Sequence, residues 1–146
     1  MGRTVLLVED DADHAELVRR SFEERGVAAD VLHVTDGEEA LSYLYRRGRW
    51  ADAATSPRPH LILLDLRLPK RDGLEVLREI KADSDLQGIP AVVLTTSEAE
   101  RDMLRAYEAH ANSYLVKPDD FPAFSRMMDD LGVYWLGWNR RPAADH

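Results

Sequence analysis

The sequence predicts an α/β protein with a doubly wound parallel sheet, and three observations lead to that fold class. Three apolar runs are continuous rather than alternating, which is typical of strands covered on both faces: Val5–Val8, Leu61–Leu64 and Ala91–Leu94. Segments with helical periodicity lie between these runs. The strand and helix patterns alternate five times along the chain, which favours a parallel sheet with right-handed crossovers.

Two weaker patterns complete the five predicted strands, at Asp30–Val34 and Ser113–Val116. Each predicted helix carries apolar residues at helical spacing, and Gly26 follows the first helix as its expected end. The helices are predicted over Asp13–Arg25, Gly37–Arg47, Gly73–Ala82, Glu98–His110 and Phe121–Trp138. In sheets of this kind a ligand binds at the carboxyl ends of the strands. The residues that end the strands are therefore the candidates for function.

Composition excludes several classes of protein. The chain has 146 residues, which favours one domain, and a net charge of −8 from 19 Lys+Arg and 27 Asp+Glu. Such an acidic chain lacks the basic stripe that binds nucleic acid. It contains no cysteine, so disulfides and thiolate sites are excluded. No apolar run reaches the roughly 18 residues of a membrane span and no secretory signal is visible, so we expect a cytoplasmic protein with no membrane partner.

The chain shows no internal boundary, so we expect a single domain over residues 1–146 with its core at about residues 3–138. One connection, Arg46–His60, is unusually long, and connections of that length are more often functional than idle. The polar tail Arg140–His146 is expected to be flexible.

The residues that end the predicted strands form a chemically compatible set. Glu9 and Asp10 follow the first strand, Asp65 the third and Lys117 the fifth, and Thr95 ends the fourth. Neighbouring carboxylates repel one another unless a divalent cation neutralises them, and Mg²⁺ suits an all-oxygen, partly hydrated site. We therefore expect a Mg²⁺ site at this edge of the sheet.

This set fits phosphoryl transfer onto a carboxylate. A divalent cation would bring an anionic donor close to an anionic acceptor and share the developing charge. Asp65 is the candidate nucleophile that forms an aspartyl phosphate. Lys117 supplies a positive charge for one phosphoryl oxygen, and the Thr95 hydroxyl can donate a hydrogen bond to another.

Each residue also has an ordinary structural role open to it. Acidic residues before a helix, such as Asp11 and Asp13, cap the helix and favour its dipole. An aspartate at a strand end can cap the next loop, and a Lys-Pro pair is a common way to turn the chain. The functional interpretation depends on the joint occurrence, since four separate strand ends carry a compatible set.

Four segments resemble the receiver domain of bacterial two-component response regulators, in the order and spacing of that family. They are Val8–Asp10, Leu64–Gly73, Leu94–Ser97 and Tyr114–Pro118. The resemblance covers about residues 3–138. It implies a flavodoxin-like, CheY-like (βα)5 fold with strand order 2-1-3-4-5.

The resemblance implies roles for the residues around the acceptor. Asp65 matches the phosphoacceptor, and Asp10 matches the carboxylate that binds Mg²⁺ directly. Glu9 matches its neighbour, which usually acts through water. The backbone carbonyl of Arg67 matches the third protein ligand, and Gly73 matches a residue that shapes the acceptor turn.

A second group of residues matches the switch of the family. Thr95 matches the switch hydroxyl, and Lys117 matches the lysine that contacts the phosphoryl group. Tyr114 matches the aromatic residue that turns inward on activation, following Thr95. Pro118 matches a proline whose preceding peptide bond is often cis. The implied function is phosphoryl acceptance from a sensor histidine kinase, followed by phosphorylation-switched partner binding or relay to a histidine phosphotransfer protein.

Three features resemble stand-alone receivers that are paired with phytochrome-type sensor kinases: the long connection, the triplet Thr95–Ser97 and the aromatic end of the last helix. Arg67 and Ser97 flank the site at positions that, in the family, tune the lifetime of the phosphoryl group. The resemblance implies no enzymatic activity beyond self-catalysed phosphorylation and autodephosphorylation.

The last predicted helix carries an apolar stripe at heptad spacing. The stripe is formed by Phe121, Phe124, Met128, Leu131, Trp135 and Trp138. Its first half is expected to pack on the sheet, while the second half extends beyond a sheet only about five residues deep. Exposed aromatic patches usually mark an interface. We therefore expect a homodimer, with interface residues Met128, Leu131, Tyr134, Trp135 and Trp138.

Other functions are less compatible with the residues present. A phosphatase of the dehalogenase superfamily needs a second aspartate two residues after the nucleophile, where this chain has Arg67. A carrier of flavin mononucleotide needs a phosphate loop after the first strand, where this chain has Glu9 and two aspartates. A degenerate receiver that binds partners without phosphorylation stays the alternative. His14, His33, His60 and His110 show no ligand spacing and are expected to be structural.

Overall fold

The computed structural model describes residues 3–24 and 29–139. Its strands form one parallel sheet in the order β2-β1-β3-β4-β5, which confirms the predicted fold class. The strands are β1 (Arg3–Val8), β2 (Ala29–Val34), β3 (Leu61–Leu64), β4 (Ala91–Thr95) and β5 (Ser113–Val116). All five lie where the apolar patterns predicted them.

Five α-helices cover the two faces of the sheet. They are α1 (Ala12–Glu24), α2 (Gly37–Leu44), α3 (Gly73–Ala82), α4 (Glu100–Glu108) and α5 (Phe121–Gly132). The side chains of Asp36, Asp72 and Asp120 accept hydrogen bonds from main-chain N–H groups in the first turns of α2, α3 and α5, and so start these helices. Among the described helices none has the length and apolar character that a membrane crossing requires.

The core has two parts because alternate strand residues point to opposite faces of the sheet. Leu6 and Val8 pack with residues of α2, α3 and α4, while Val5 and Leu7 pack with residues of α1 and α5. Residues of both sets in β1 and β3 are almost completely buried. This double cover explains why the strands are continuous apolar runs.

The long connection between α2 and β3 is ordered. The helix stops at Leu44, three residues before the predicted end, and Arg46 adopts a positive φ of 55° that turns the chain away. A short 3-10 turn follows at Gly48–Trp50, and the Trp50 ring packs edge-on against Tyr43 with centroids 5.0 Å apart. The Tyr43 hydroxyl donates to the Pro57 carbonyl at 2.6 Å. The connection is therefore fastened to α2.

The end of the last helix differs from the prediction. A π-helical turn, Val133–Trp138, follows α5, and the N–H of Asn139 donates to the Tyr134 carbonyl at 2.6 Å. The wider turn breaks the heptad phase, because it adds one residue per hydrogen bond. As a result Leu136 is buried in the core, while Trp138 is 76 % exposed.

The placement of the predicted interface residues follows from this geometry. Met128 and Leu131 are buried against the sheet and offer almost no exposed surface to an interface, so their assignment to one stays a prediction. Trp135 is half-buried against the same core, and Tyr134 and Trp138 are exposed. Gly26 and the tail Arg140–His146 lie outside the described residues.

Candidate functional site

The register of the sheet brings two carboxylates together. Val8, the last residue of β1, pairs with Leu64, the last residue of β3, so the next residues, Glu9 and Asp65, are neighbours at one edge. Their side chains are buried, with exposed fractions of 2 % and 7 % for the whole residues. Asp10 is exposed, and ligand oxygens of all three carboxylates lie within 4.8 Å of one another. The predicted acidic cluster is therefore assembled by strand pairing.

Two glycines hold the loop that follows the acceptor. A Cβ on Gly73, the first residue of α3, would lie 2.2 Å from the Asp65 carbonyl oxygen, and one on Gly37, the first residue of α2, would lie 2.5 Å from the Arg71 carbonyl oxygen. Neither position has room for a side chain. The N–H of Gly73 also donates to the Leu66 carbonyl at 3.1 Å. The first residues of α2 and α3 therefore lie in direct contact with the backbone of the acceptor loop.

Lys117 neutralises the buried carboxylates from the end of β5. Its ammonium nitrogen lies 2.5 Å from Glu9 Oε1 and 3.1 Å from Asp65 Oδ2, and the side chain is almost completely buried. The third hydrogen bond of the ammonium, at 2.9 Å, joins it to His14 Nδ1. Because an ammonium has three donors and no acceptor, this contact requires a neutral His14 ring with Nδ1 as acceptor.

The protonation of Glu9 reflects competing effects of its surroundings. Burial is the largest effect and raises the pKa of Glu9 to about 7, and the negative charge of Asp65 acts in the same direction. The hydrogen bond from Lys117 and its positive charge lower the pKa but do not offset the burial. When Glu9 and Asp65 are both ionised, one ammonium faces two negative charges, and a bound cation would neutralise the remaining charge.

Thr95 and Tyr114 connect the ends of β4 and β5. The Thr95 carbonyl accepts from the N–H of Lys117 at 2.8 Å, and the buried Thr95 hydroxyl accepts a long hydrogen bond, 3.4 Å, from the N–H of Ser97. The half-buried Tyr114 donates its hydroxyl proton to the Ser97 carbonyl at 3.0 Å. The peptide bond between Lys117 and Pro118 is trans, in contrast to the cis form that the resemblance suggested.

Arg67 lies directly beside the acceptor. Its main-chain N–H donates to Asp65 Oδ1 at 3.1 Å, while its side chain turns to the surface and donates to Asp102 Oδ2 at 3.2 Å. The proposed role of its carbonyl as a metal ligand stays a prediction.

Two residues near the site were not identified from the sequence. His14 was expected to be structural, yet it contacts Lys117. Its position in the sequence could have indicated this contact, because α1 begins just after β1 and its first turn therefore lies close to the site. Asp102 joins the site through Arg67 and Ser97, and only its place in the first turn of α4 pointed there.

The residues present fit a magnesium ion. All candidate ligands are hard carboxylate oxygens, which Mg²⁺ prefers, and the Lys117 ammonium pairs with two of the three carboxylates, Glu9 and Asp65. The exposed Asp10 lines an open cleft, so a hydrated ion has a path to the cluster. Among the described residues, Glu9, Asp10 and Asp65 are the group that could hold such an ion.

A five-stranded parallel sheet with this acidic cluster and lysine defines a receiver domain. The chain belongs to the response regulator receiver domain family, whose family model matches residues 5–129. Response regulators of this family are signalling proteins.

Individual relatives match almost the whole chain. A probable methanogenesis regulatory protein, FilR2 of Methanothrix harundinacea, is 47 % identical over 138 residues, covering 94 % of this chain and 86 % of FilR2. Response regulator Rcp1 of Synechocystis sp. is 41 % identical over 142 residues, or 97 % of this chain and 95 % of Rcp1. The Mn²⁺-bound structure of Rcp1 has a TM-score of 0.89 at 40 % identity, covering 97 % and 99 % of the two chains.

The phosphorylated cyanobacterial phytochrome response regulator RcpA is similar as well. Its crystal structure gives a TM-score of 0.92 at 38 % identity, and the match covers 98 % of this chain and 100 % of RcpA. These similarities extend through the long α2–β3 connection and into the last helix.

Proposed function

We propose that this chain is a response regulator that accepts a phosphoryl group on Asp65 from a sensor histidine kinase, in a reaction that depends on Mg²⁺. The observation that carries this proposal is the buried Asp65 carboxylate, which lies 3.1 Å from the Lys117 ammonium and within 4.8 Å of two further carboxylates. The alternative is a degenerate receiver, which would not be phosphorylated. Such a receiver is expected to lack a residue of the phosphorylation set, whereas this chain has all of them.

The Asp65 carboxylate acts as the nucleophile. One of its oxygens forms a bond to the phosphorus of a phosphohistidine, and the bond between phosphorus and the histidine nitrogen breaks. The electron pair of that bond leaves with the nitrogen, which takes up a proton. A Mg²⁺ ion held by Glu9, Asp10 and Asp65 would supply positive charge for the transferring oxygens.

Lys117 and Thr95 respond to the new phosphoryl group. A phosphoryl group brings a charge of about −1.5 to −2 and three acceptor oxygens, so it competes with Glu9 and Asp65 for the Lys117 ammonium. The Thr95 hydroxyl accepts only a long hydrogen bond from Ser97, at 3.4 Å, and its own proton can be donated to a phosphoryl oxygen. The change of these contacts is the signal that a partner reads.

The partner is a histidine kinase of phytochrome type. Support comes from RcpA, described as a phytochrome response regulator, and from the shared α2–β3 connection. Transfer from Asp65 to a histidine phosphotransfer protein is a second outlet for the phosphoryl group.

We also propose a homodimer through the last helix, with the π-helical turn that follows it, and through the fourth and fifth βα segments, which include α4. Supporting this are large apolar side chains that are at least 44 % exposed on these elements: Leu104, Tyr107, Phe121, Val133, Tyr134 and Trp138. Light scattering at tens of micromolar should give the mass of a dimer, and a monomer mass would count against it.

The acceptor is tested by incubation with acetyl phosphate, with and without Mg²⁺, and measurement of intact mass. The wild-type chain should gain one labile phosphoryl group only when Mg²⁺ is present, and Asp65→Asn should gain none. Asp72→Asn is the matched control, because Asp72 caps α3 seven residues further on and should leave phosphorylation intact. Absence of an adduct on the wild-type chain would contradict the proposal.

A further inference from the structure

One carboxylate on α4 binds two loops of the site at once. Asp102 Oδ2 accepts from the Ser97 hydroxyl at 2.6 Å and from the Arg67 guanidinium at 3.2 Å. Arg67 belongs to the loop that carries the acceptor, and Ser97 to the loop that follows Thr95. The Asp102 side chain is 18 % exposed while that of Arg67 is 70 % exposed, so a largely buried carboxylate accepts from an exposed guanidinium.

The environment of Asp102 keeps its carboxylate charged. The hydrogen bond from Ser97 is the largest effect that lowers the pKa of Asp102, and the positive charges of Arg67, Arg101 and Arg105 add to it. Hydrogen bonds to a charged acceptor are stronger than those between neutral groups. Both contacts involve this charged acceptor; the one with Ser97 is the shorter, and the ion pair with Arg67 is screened by solvent because the Arg67 side chain is exposed.

Ser97 is the point at which the switch residues meet. Its N–H lies 3.4 Å from the Thr95 hydroxyl, its carbonyl accepts from Tyr114 and its own hydroxyl donates to Asp102. A movement of Thr95 toward Asp65 therefore pulls on Ser97, whose side chain is held on α4. Asp102 thus opposes that movement.

A phosphoryl group on Asp65 would compete with Asp102 for the same donors. It carries more negative charge than a carboxylate and attracts the guanidinium of Arg67, two residues away in sequence. Asp10, Arg67 and Asp102 also line one open cleft of about 590 Å³ beside the acceptor. The Asp102 contacts therefore lie where a phosphodonor approaches, and they oppose the state that phosphorylation produces.

We infer that Asp102 is a positioning residue which, by holding Arg67 and Ser97 together, ties the acceptor loop to the switch loop and favours the unphosphorylated conformation. The inference rests on the proposed function. Since a ligand shifts an equilibrium by its differential affinity for the two states, loss of these contacts makes binding of a phosphoryl mimic tighter.

The test is a calorimetric titration of the full chain with beryllofluoride, a mimic of the aspartyl phosphate, in excess Mg²⁺. Asp102→Ala should bind about tenfold more tightly than the wild type, because a charge-assisted hydrogen bond no longer opposes the bound state. Asp102→Asn keeps the shape of the side chain and should show a smaller gain, and it serves if the alanine variant fails to fold. Damage to the fold would weaken binding, so tighter binding separates positioning from a merely structural role.

A matched control accounts for the loss of one negative charge. Glu100→Gln removes the same charge from the exposed first turn of α4 and should change beryllofluoride affinity less than twofold. Mg²⁺ affinity without beryllofluoride should also stay within about twofold in the Asp102 variants, because Asp102 is not in the acidic cluster.

The outcomes distinguish this inference from the proposed function. If the wild-type chain does not bind beryllofluoride, both are contradicted. If the wild type binds but neither Asp102 variant binds more tightly, or Glu100→Gln shows the same gain, the role of Asp102 is overturned and the proposed function stands.

Discussion

Two lysines lie at opposite ends of the sheet, and each donates three hydrogen bonds to partners of a different kind. At the carboxyl ends of the strands, Lys117 contacts Glu9, Asp65 and His14, which can all gain or lose a proton. At the amino ends, Lys81 lies 3.0 Å from each of three neutral oxygens, two of them main-chain carbonyls and the third the side-chain oxygen of Asn112.

Because their partners differ in charge, we expect the contacts of Lys117 to change when the site is phosphorylated and those of Lys81 to stay the same. Burial lowers the pKa of Lys81, and all three of its acceptors are neutral oxygens, so its contacts tie α3 to the starts of β4 and β5 without involving a charged partner. Two of the partners of Lys117 are carboxylates, and both belong to the candidate metal site. A phosphoryl group or a cation changes their charge, and the lysine then exchanges one partner for another.

The largest effect is expected for Lys117→Met. The substitution removes the ammonium that would stabilise the phosphoryl oxygens, so the rate of phosphorylation by acetyl phosphate should fall about 100-fold while a slow reaction persists. The rate is measured from intact mass against time. Lys81→Met, the same change at the other end of the sheet, should keep the rate within about twofold. Equal rates for Lys117→Met and the wild type would show that Lys117 has no role in phosphorylation.

Lys81→Met should instead lower the free energy of unfolding. The substitution removes the Lys81 donor from the Gln87 and Ile89 carbonyls, while the Asn112 side-chain oxygen keeps the hydrogen bond from the Ala91 N–H. We expect a loss of about 2 kcal/mol, measured by urea unfolding. Millimolar Mg²⁺ should not restore the lost stability, because Lys81 has no carboxylate partner that would be left without a positive charge. In Lys117→Met, by contrast, Mg²⁺ should restore stability by replacing the lost charge. Rescue of both variants, or of neither, would show that the two lysines do not differ in this way.

The smallest effect concerns the pH dependence of stability without metal. Glu9 ionises near pH 4.5 when unfolded and near 7 when folded, so between these values the folded state holds a proton that the unfolded state has lost. When a chelator keeps the solution free of divalent metal, raising the pH from about 5 to 8 should therefore lower the free energy of unfolding by about 1 to 2 kcal/mol. Glu9→Gln cannot ionise and should flatten this dependence. The comparison is made by urea unfolding at each pH, and parallel curves for the two proteins would contradict the raised pKa.

The fold could be predicted because its main constraint is local. Strands that are buried on both faces need continuous apolar runs, so Leu61–Leu64 and Ala91–Leu94 identified the centre of the sheet. The end of α5 could not be predicted in the same way. The heptad spacing assumed α-helical geometry as far as Trp138. The π-helical turn instead buries Leu136, which does not belong to the predicted stripe, while Trp138 is exposed as expected.

The candidate site could be predicted only in part. Glu9, Asp65, Thr95 and Lys117 end strands, and parallel pairing brings strand ends together whatever the loops do. The contact of His14 with Lys117 joins residues 103 positions apart and depends on side-chain direction. The contacts of Asp102 depend in addition on the path of the β4–α4 loop, for which the sequence holds no periodic signal.

The close approach of Gly73 to the acceptor has a mechanical consequence. The backbone of Asp65 is in direct contact with Gly73, the first residue of α3, and Arg71 is in direct contact with Gly37. The acceptor loop therefore has no room to move towards α2 and α3. That side is stiff, since two backbones in direct contact can only shift together. Towards α4 and β5 the acceptor and its loop are bridged by side chains instead, through the contacts of Arg67 with Asp102 and of Asp65 with Lys117. We therefore expect a change at Asp65 to rearrange the side-chain contacts towards α4 and β5 more easily than the backbone contacts with α2 and α3.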